Sequence, residues 1–172
     1  TYNLQVFDPT WFGPDAPDIR ERLKAQLRVK PSKKLRAATG GYLRFLDLGG
    51  RLQFEDLNPA LIQKYLKKKI PILTGLSSTY LHRTAREYGP RCESDDIRGV
   101  PAGHFVVLCG YDVETREVLV ADPLYPNPIG HQHLYKARID RVICSILLGI
   151  VTYDANLLII EPAQARKGRH HD

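Results

Sequence analysis

The sequence holds no methionine, one tryptophan and only three cysteines in 172 residues. Cys92, Cys109 and Cys144 are too few and too widely spaced for a disulfide framework or a paired Cys-x-x-Cys zinc site, which points to reducing, cytoplasmic surroundings. No apolar run approaches the roughly 18 residues of a spanning helix. The best one, residues 142–151, is short and interrupted by Cys144, Ser145 and Gly149, so no transmembrane segment is expected. A basic start followed by an apolar stretch, the mark of a secretory signal, is also lacking. Neither common glycine loop for phosphate occurs, so nucleotide chemistry is not supported and no cofactor is implied. Gly75-Leu76-Ser77 lacks the second glycine of a nucleophile elbow, which leaves Ser77 and Ser78 to be read as helix caps.

What is present is an ordinary folding mixture, 43% hydrophobic and 26% charged, on a chain long enough for one globular domain with a real core. We assign that domain to residues 1–162 and a basic, flexible tail to residues 163–172. Thr1 opens directly onto a predicted strand, so either sequence precedes it or an initiator methionine has been removed. Net charge is +6, with the excess concentrated in residues 20–36, residues 64–69 and the tail. Apolar residues alternate with these charges at helical spacing and no stacking series of aromatics accompanies them. Solvated helix faces are the expected use, and no nucleic-acid partner is expected. Nothing here sets the oligomeric state.

Alternation over residues 3–7, stopped by Asp8-Pro9, predicts a short strand. Ile19, Leu23 and Leu27 then mark a helix that runs from the capping residues 15–18 to Pro31. Ser32 caps a second helix with Leu35, Ala38, Tyr42, Phe45 and Leu46 inward, closed by Gly49-Gly50. Asn58 and Pro59 open a third. Residues 70–76 read as a buried strand with Pro71 at its start, followed by a short helix through Arg86 and an exposed loop over residues 88–102. Residues 105–111 and 118–121 form an antiparallel hairpin. Asp140 caps a helix through Leu148, and residues 157–160 form the last strand. Helices gathered early and strands gathered late predict an α+β domain with an antiparallel sheet.

In such a hairpin the start of the first strand and the end of the second share one edge of the sheet. His104 and Asp122 hold those positions. A carboxylate there can accept one imidazole hydrogen, fix the tautomer and leave the other ring nitrogen for a nucleophile, which is two thirds of a catalytic triad. A one-residue slip would put the two on opposite faces. The plainer reading is a half-buried histidine beside an Asp-Pro turn. His131 and His133 can share a strand face and, with Asp122, hold zinc, although solvated loop chemistry is the commoner use. Trp11 and Phe12 line a cleft or simply fill a core.

The segment Gly103-His104-Phe105-Val106-Val107-Leu108-Cys109-Gly110-Tyr111-Asp112, followed by Val118-Leu119-Val120-Ala121-Asp122-Pro123, resembles the His and Asp half of papain-like cysteine peptidases. It is most similar to the bacterial bacteriocin-processing (double-glycine) peptidase family, and Lys69-Ile70-Pro71-Ile72-Leu73 resembles the strand before that family's His. The resemblance implies a papain-like fold, a Cys thiolate at a helix N-terminus, His104 as general base and acid, Asp122 as its orienter, and a peptide or acyl substrate. In the family the Cys and an oxyanion-stabilising Gln precede the His on an early helix. None of the three cysteines matches that place. Cys109 faces away from His104 on the same strand, Cys144 is expected to be a packed neutral thiol, and Cys92 has Glu93, Asp95 and Asp96 opposing a thiolate. Two alternatives follow: the catalytic helix with its Cys lies upstream of this chain, or the domain is a catalytically inactive binding module.

Overall fold

The computed structural model describes residues 1–30 and 32–162. Pro31 and the basic tail read at 163–172, with His170 and His171, lie outside the described residues. Residues 3–7 do not form the predicted strand. Val6 and Phe7 are consecutive and both buried, which the alternating faces of a strand cannot provide, so the chain turns instead. Asn3 makes that turn: its carbonyl accepts from Val6 N and Phe7 N at 3.0 and 2.9 Å, and its side-chain amide donates to Tyr153 O at 2.9 Å.

Helix α1, Ile19–Val29, starts where Asp18 accepts from Arg20 N at 2.7 Å. Helix α2, Lys33–Asp47, is capped by Ser32, and Gly49 just beyond it takes φ +85. These two helices enclose a small core of Val6, Phe7, Leu23 and Leu35, with Trp11 and Phe12 packed on it. Helix α3, Pro59–Leu66, is capped by Asn58. Strand β1, Ile72–Ser77, follows Pro71 and runs into α4, Ser78–His82, whose N-cap is Ser77. The helix stops at His82 rather than Arg86, because Arg83 turns left-handed at φ 56.

The loop over residues 88–102 contains an unpredicted ribbon of β2, Glu87–Tyr88, and β3, Glu93–Ser94. Strands β4, Gly103–Asp112, and β5, Glu117–Ala121, form the expected hairpin. Strand β6, Leu134–Arg138, was not anticipated, although its alternation of Tyr135 and Ala137 inward with Lys136 and Arg138 outward is visible in the sequence. Helix α5, Ile139–Leu148, begins after Arg138, with Asp140 in its first turn rather than at its cap. Strand β7, Asn156–Ile159, ends the described chain near its predicted place.

The five strands order as β6-β5-β4-β1-β7, every neighbouring pair antiparallel. Ile62 and Leu66 of α3 and Ile139, Val142 and Ile146 of α5 bury one sheet face through Ile72, Leu76, Val106, Leu108, Val118 and Val120. Burial on this scale is the main stabilising term.

One local feature decides what that face can carry. From the turn, Asp112 pairs with Glu117, Tyr111 with Val118 and Gly110 with Leu119; then Leu108 pairs with Val120 and Val107 with Ala121. Cys109 is the extra residue of a β-bulge. Had the first register continued, Asp122 would stand opposite Val107 and leave the sheet on the face away from His104. With the bulge it stands opposite Val106, a core-facing neighbour of His104 on the same side.

Candidate active site

His104 enters this corner from the start of β4, opposite Leu76 of β1. Asp122 comes immediately after β5, its amide donating to His133 O at 2.8 Å, so the backbone ladder continues one residue past the strand. His104 Nε2 lies 2.7 Å from Asp122 Oδ1, and the Leu124 amide donates to the same oxygen at 2.9 Å. On the other oxygen, Tyr135 Oη donates to Oδ2 at 2.8 Å and His82 Nε2 stands 3.3 Å away. The Asp122 side chain is 0% exposed, that of His82 2%, and that of His104 21%. Only His104 offers a surface to a substrate.

Helix α4 delivers His82. Ser78 N and Oγ both donate to Ala102 O, at 3.0 and 3.1 Å, while the Ala102 amide donates to Thr79 Oγ1 at 2.9 Å. The start of the helix is thereby tied to the residue preceding β4, and one turn on His82 sits over the carboxylate. Its Nε2 is also 3.2 Å from Tyr135 Oη. Because the Tyr135 proton is committed to Oδ2, His82 Nε2 faces acceptor oxygens on both sides and is the protonated nitrogen.

The electrostatics follow from burial and donor count. Burial works to raise the Asp122 carboxyl, but hydrogen bonds from His104, Leu124 N and Tyr135 outweigh it and hold the group below its ordinary value. Asp122 is therefore an anion at neutral pH. Burial pushes the Tyr135 hydroxyl far upward, and the adjacent carboxylate adds to the effect, so it stays a donor. Burial likewise lowers His82 below its usual 6.5 despite the attraction of Asp122, and the ring is neutral. Since the ionised carboxylate only accepts, the ring nitrogen that His104 turns to it, Nε2, is a donor.

Sequence reasoning places His104 and Asp122 together, and they are together. It misses His82 and Tyr135. Tyr135 could have been found from the alternation of β6; His82, on a five-residue helix, has no spacing signal. His131 and His133 do not join Asp122 in a metal-binding set. His133 Nδ1 donates to the Asp122 backbone carbonyl at 2.9 Å and its ring packs on Tyr125 at 5.0 Å. Among the described residues no three His, Cys, Asp or Glu side chains are grouped to hold a metal ion.

The cysteines split. Cys109 stands on the outward face of β4, where burial raises its thiol. Cys144 is exposed on α5, not packed as predicted, because the apolar positions around it divide between the two sides of a helix only partly covered. Cys92 is exposed, and the Glu87 carboxylate beside it, rather than the acids that follow it in sequence, raises its thiol. None of the three hydrogen-bonds to His104 among the described residues. A cavity of about 700 Å³ lies elsewhere, between α2, α3 and β7, lined by Tyr42, Phe45, Tyr65 and Ile159 among others, and it contains no member of the His104 cluster.

The family model described as Peptidase_C39 like family matches residues 52–141, more than half of the chain and all four members of the cluster. The chain belongs to the Peptidase_C39 like family. Its α+β architecture, with helices on a five-stranded antiparallel sheet, is papain-like. No curated protein and no solved structure matches the chain. No helix among the described residues is long and apolar enough to cross a membrane.

Proposed function

We propose that this Peptidase_C39-like chain carries the base and its orienter for thiol-dependent cleavage or transfer of a peptide or amide acyl group, with the thiol supplied by a cysteine preceding Thr1. The observation that carries the reading is the 2.7 Å contact of His104 with a fully buried, ionised Asp122. Orientation of this kind leaves Nδ1 as a fixed proton acceptor.

In the proposed cycle His104 Nδ1 takes the thiol proton and the sulfur attacks the carbonyl carbon. The imidazolium then returns the proton to the leaving nitrogen as the carbon–nitrogen bond breaks, giving a thioester. Water completes the cycle by the same transfers in reverse, releasing acid and thiol. Asp122 stabilises the imidazolium without becoming protonated. Acid–base transfer of this type contributes roughly 10²–10⁴ in rate.

The test is turnover and labelling by a thiol-directed electrophile in the complete protein. His104→Ala should lower turnover by about 10²–10⁴, and Asp122→Asn should lower it strongly too. Turnover unchanged in His104→Ala would end the proposal. A wild type that neither turns over peptide nor labels would favour a binding module that keeps the fold without chemistry.

A further inference from the structure

Four donors converge on one carboxylate, and of the three side chains among them His104 is the most exposed. Oδ1 takes His104 and the Leu124 amide; Oδ2 takes Tyr135 and His82. A buried carboxylate whose second oxygen lacked partners would hold unsatisfied lone pairs and be free to turn about its terminal torsion. We propose that His82 and Tyr135 are positioning residues that occupy Oδ2 of Asp122 from α4 and β6, so that Oδ1 stays aimed at His104 and the anion serves one imidazolium alone. The inference rests on the reading of Asp122 as the orienter of His104.

The charge argument is as important as the geometry. The His82 and His104 rings are 6.2 Å apart. Were both charged, two imidazoliums would compete for one anion, and each would make the other harder to protonate. A buried neutral ring supplies a hydrogen bond without that competition. The groups facing Asp122 are His82 from α4, His104 from β4, Tyr135 from β6 and, at the backbone carbonyl, His133. Arg141 of α5, the nearest element beyond α4, donates to Tyr80 O at 3.4 Å instead.

The experiment is an NMR titration of the imidazole nitrogens in the isotopically labelled 172-residue chain, in the wild type and in Tyr135→Phe, His82→Leu and His82→Gln. In the wild type, His82 should appear as the neutral tautomer protonated on Nε2 at pH 6.5. Removing a donor from Oδ2 leaves more of the negative charge for His104, so its midpoint should rise by about half a unit in Tyr135→Phe and in His82→Leu. The amide of Gln can replace Nε2–H, so His82→Gln should restore the wild-type midpoint. An unmoved His104 midpoint in both donor-less variants, or His82 protonated on Nδ1, overturns the inference. Should His82→Leu fail to fold, Tyr135→Phe keeps the ring and decides alone. The readout needs no turnover: the expected shifts beside no hydrolysis by the complete protein would remove the peptidase reading and keep the clamp, whereas hydrolysis by the complete protein beside unmoved shifts would do the reverse.

Discussion

The β4–β5 hairpin ends in an aspartate at both extremities, and the two behave differently. At the turn, Asp112 Oδ1 accepts from Glu114 N and Thr115 N, both at 3.1 Å, and Lys136 Nζ stands 3.3 Å from Oδ2. At the open end, Asp122 accepts from residues of four separate segments. Both carboxyls are held below their ordinary value: Asp112 chiefly by the Thr115 amide and then Lys136, Asp122 by donors that overcome its burial. Yet one is a local turn in water and the other a buried convergence. Hydrogen bonds of similar length do turn chemistry where the solvent competes, and site chemistry where it cannot.

Between the two ends lies the bulge, and giving its extra residue a partner should have the largest effect. An alanine inserted between Leu119 and Val120 would stand opposite Cys109 and make the ladder regular through it. Leu108 and Val120 would then alternate to the face opposite Tyr111 and Val118, so one of these pairs would have to leave the core. The insertion should lose more than about 4 kcal/mol in chemical denaturation, the range of severe core disruption. Deleting Cys109 instead joins Leu108 to Gly110, keeps every observed pair on its face and should leave the midpoint near that of the wild type. Cys109→Ser keeps the extra residue and should retain the wild-type register, since the thiol is exposed. An insertion variant with a wild-type denaturation midpoint would show that the bulge does not set the faces.

The bulge also explains how much could be read in advance. The helix caps at Asp18, Ser32 and Asn58 and the strands flanking the turn follow from local chemistry, and so does the Asp112 turn. The pairing of His104 with Asp122 was legible as proximity. Its facing was not, because residues 105–111 are apolar nearly throughout and carry no alternation from which to count. Gly110, a glycine inside a strand, was the available sign of a bulge. His82 was beyond reach for a different reason: its role depends on Arg83 ending α4 and on the clamp at Ala102, both tertiary facts. The burial of Val6 and Phe7 together defeated the predicted first strand in the same way, since tertiary packing overrode an alternating pattern.

The second test substitutes each aspartate by its amide. Asp122→Asn places an NH₂ group against one of the two donor pairs, so a donor meets a donor and at least one buried hydrogen bond is lost. About 2–4 kcal/mol of stability should go, read as a lower urea midpoint. Asp112→Asn keeps the side-chain oxygen that makes the turn and sits in water, so its midpoint should match the wild type. Equal losses from the two variants would mean that burial does not distinguish the ends.

The smallest effect is the shape of stability against pH. His82 has its folded value lowered below 6.5, so the unfolded chain takes up a proton there that the folded chain resists. Stability must then fall as pH drops below 6.5. At most one proton is involved, so the slope from this ring cannot exceed about 1.4 kcal/mol per pH unit. Asp122 acts later and by the opposite ionisation: its folded value lies below 3.8, so its contribution is complete above that value and disappears as pH falls through the folded one. The Asp112 share falls in the same acid range, but added salt should shrink it, whereas the buried share resists screening. His82→Gln cannot take the first proton, so its stability profile should be flatter than the wild type between pH 7 and pH 5 and parallel to it in stronger acid. Superimposable profiles in the upper interval would place a charged histidine at the buried end, and the contrast between the two aspartates would then rest on Tyr135 and the bulge alone.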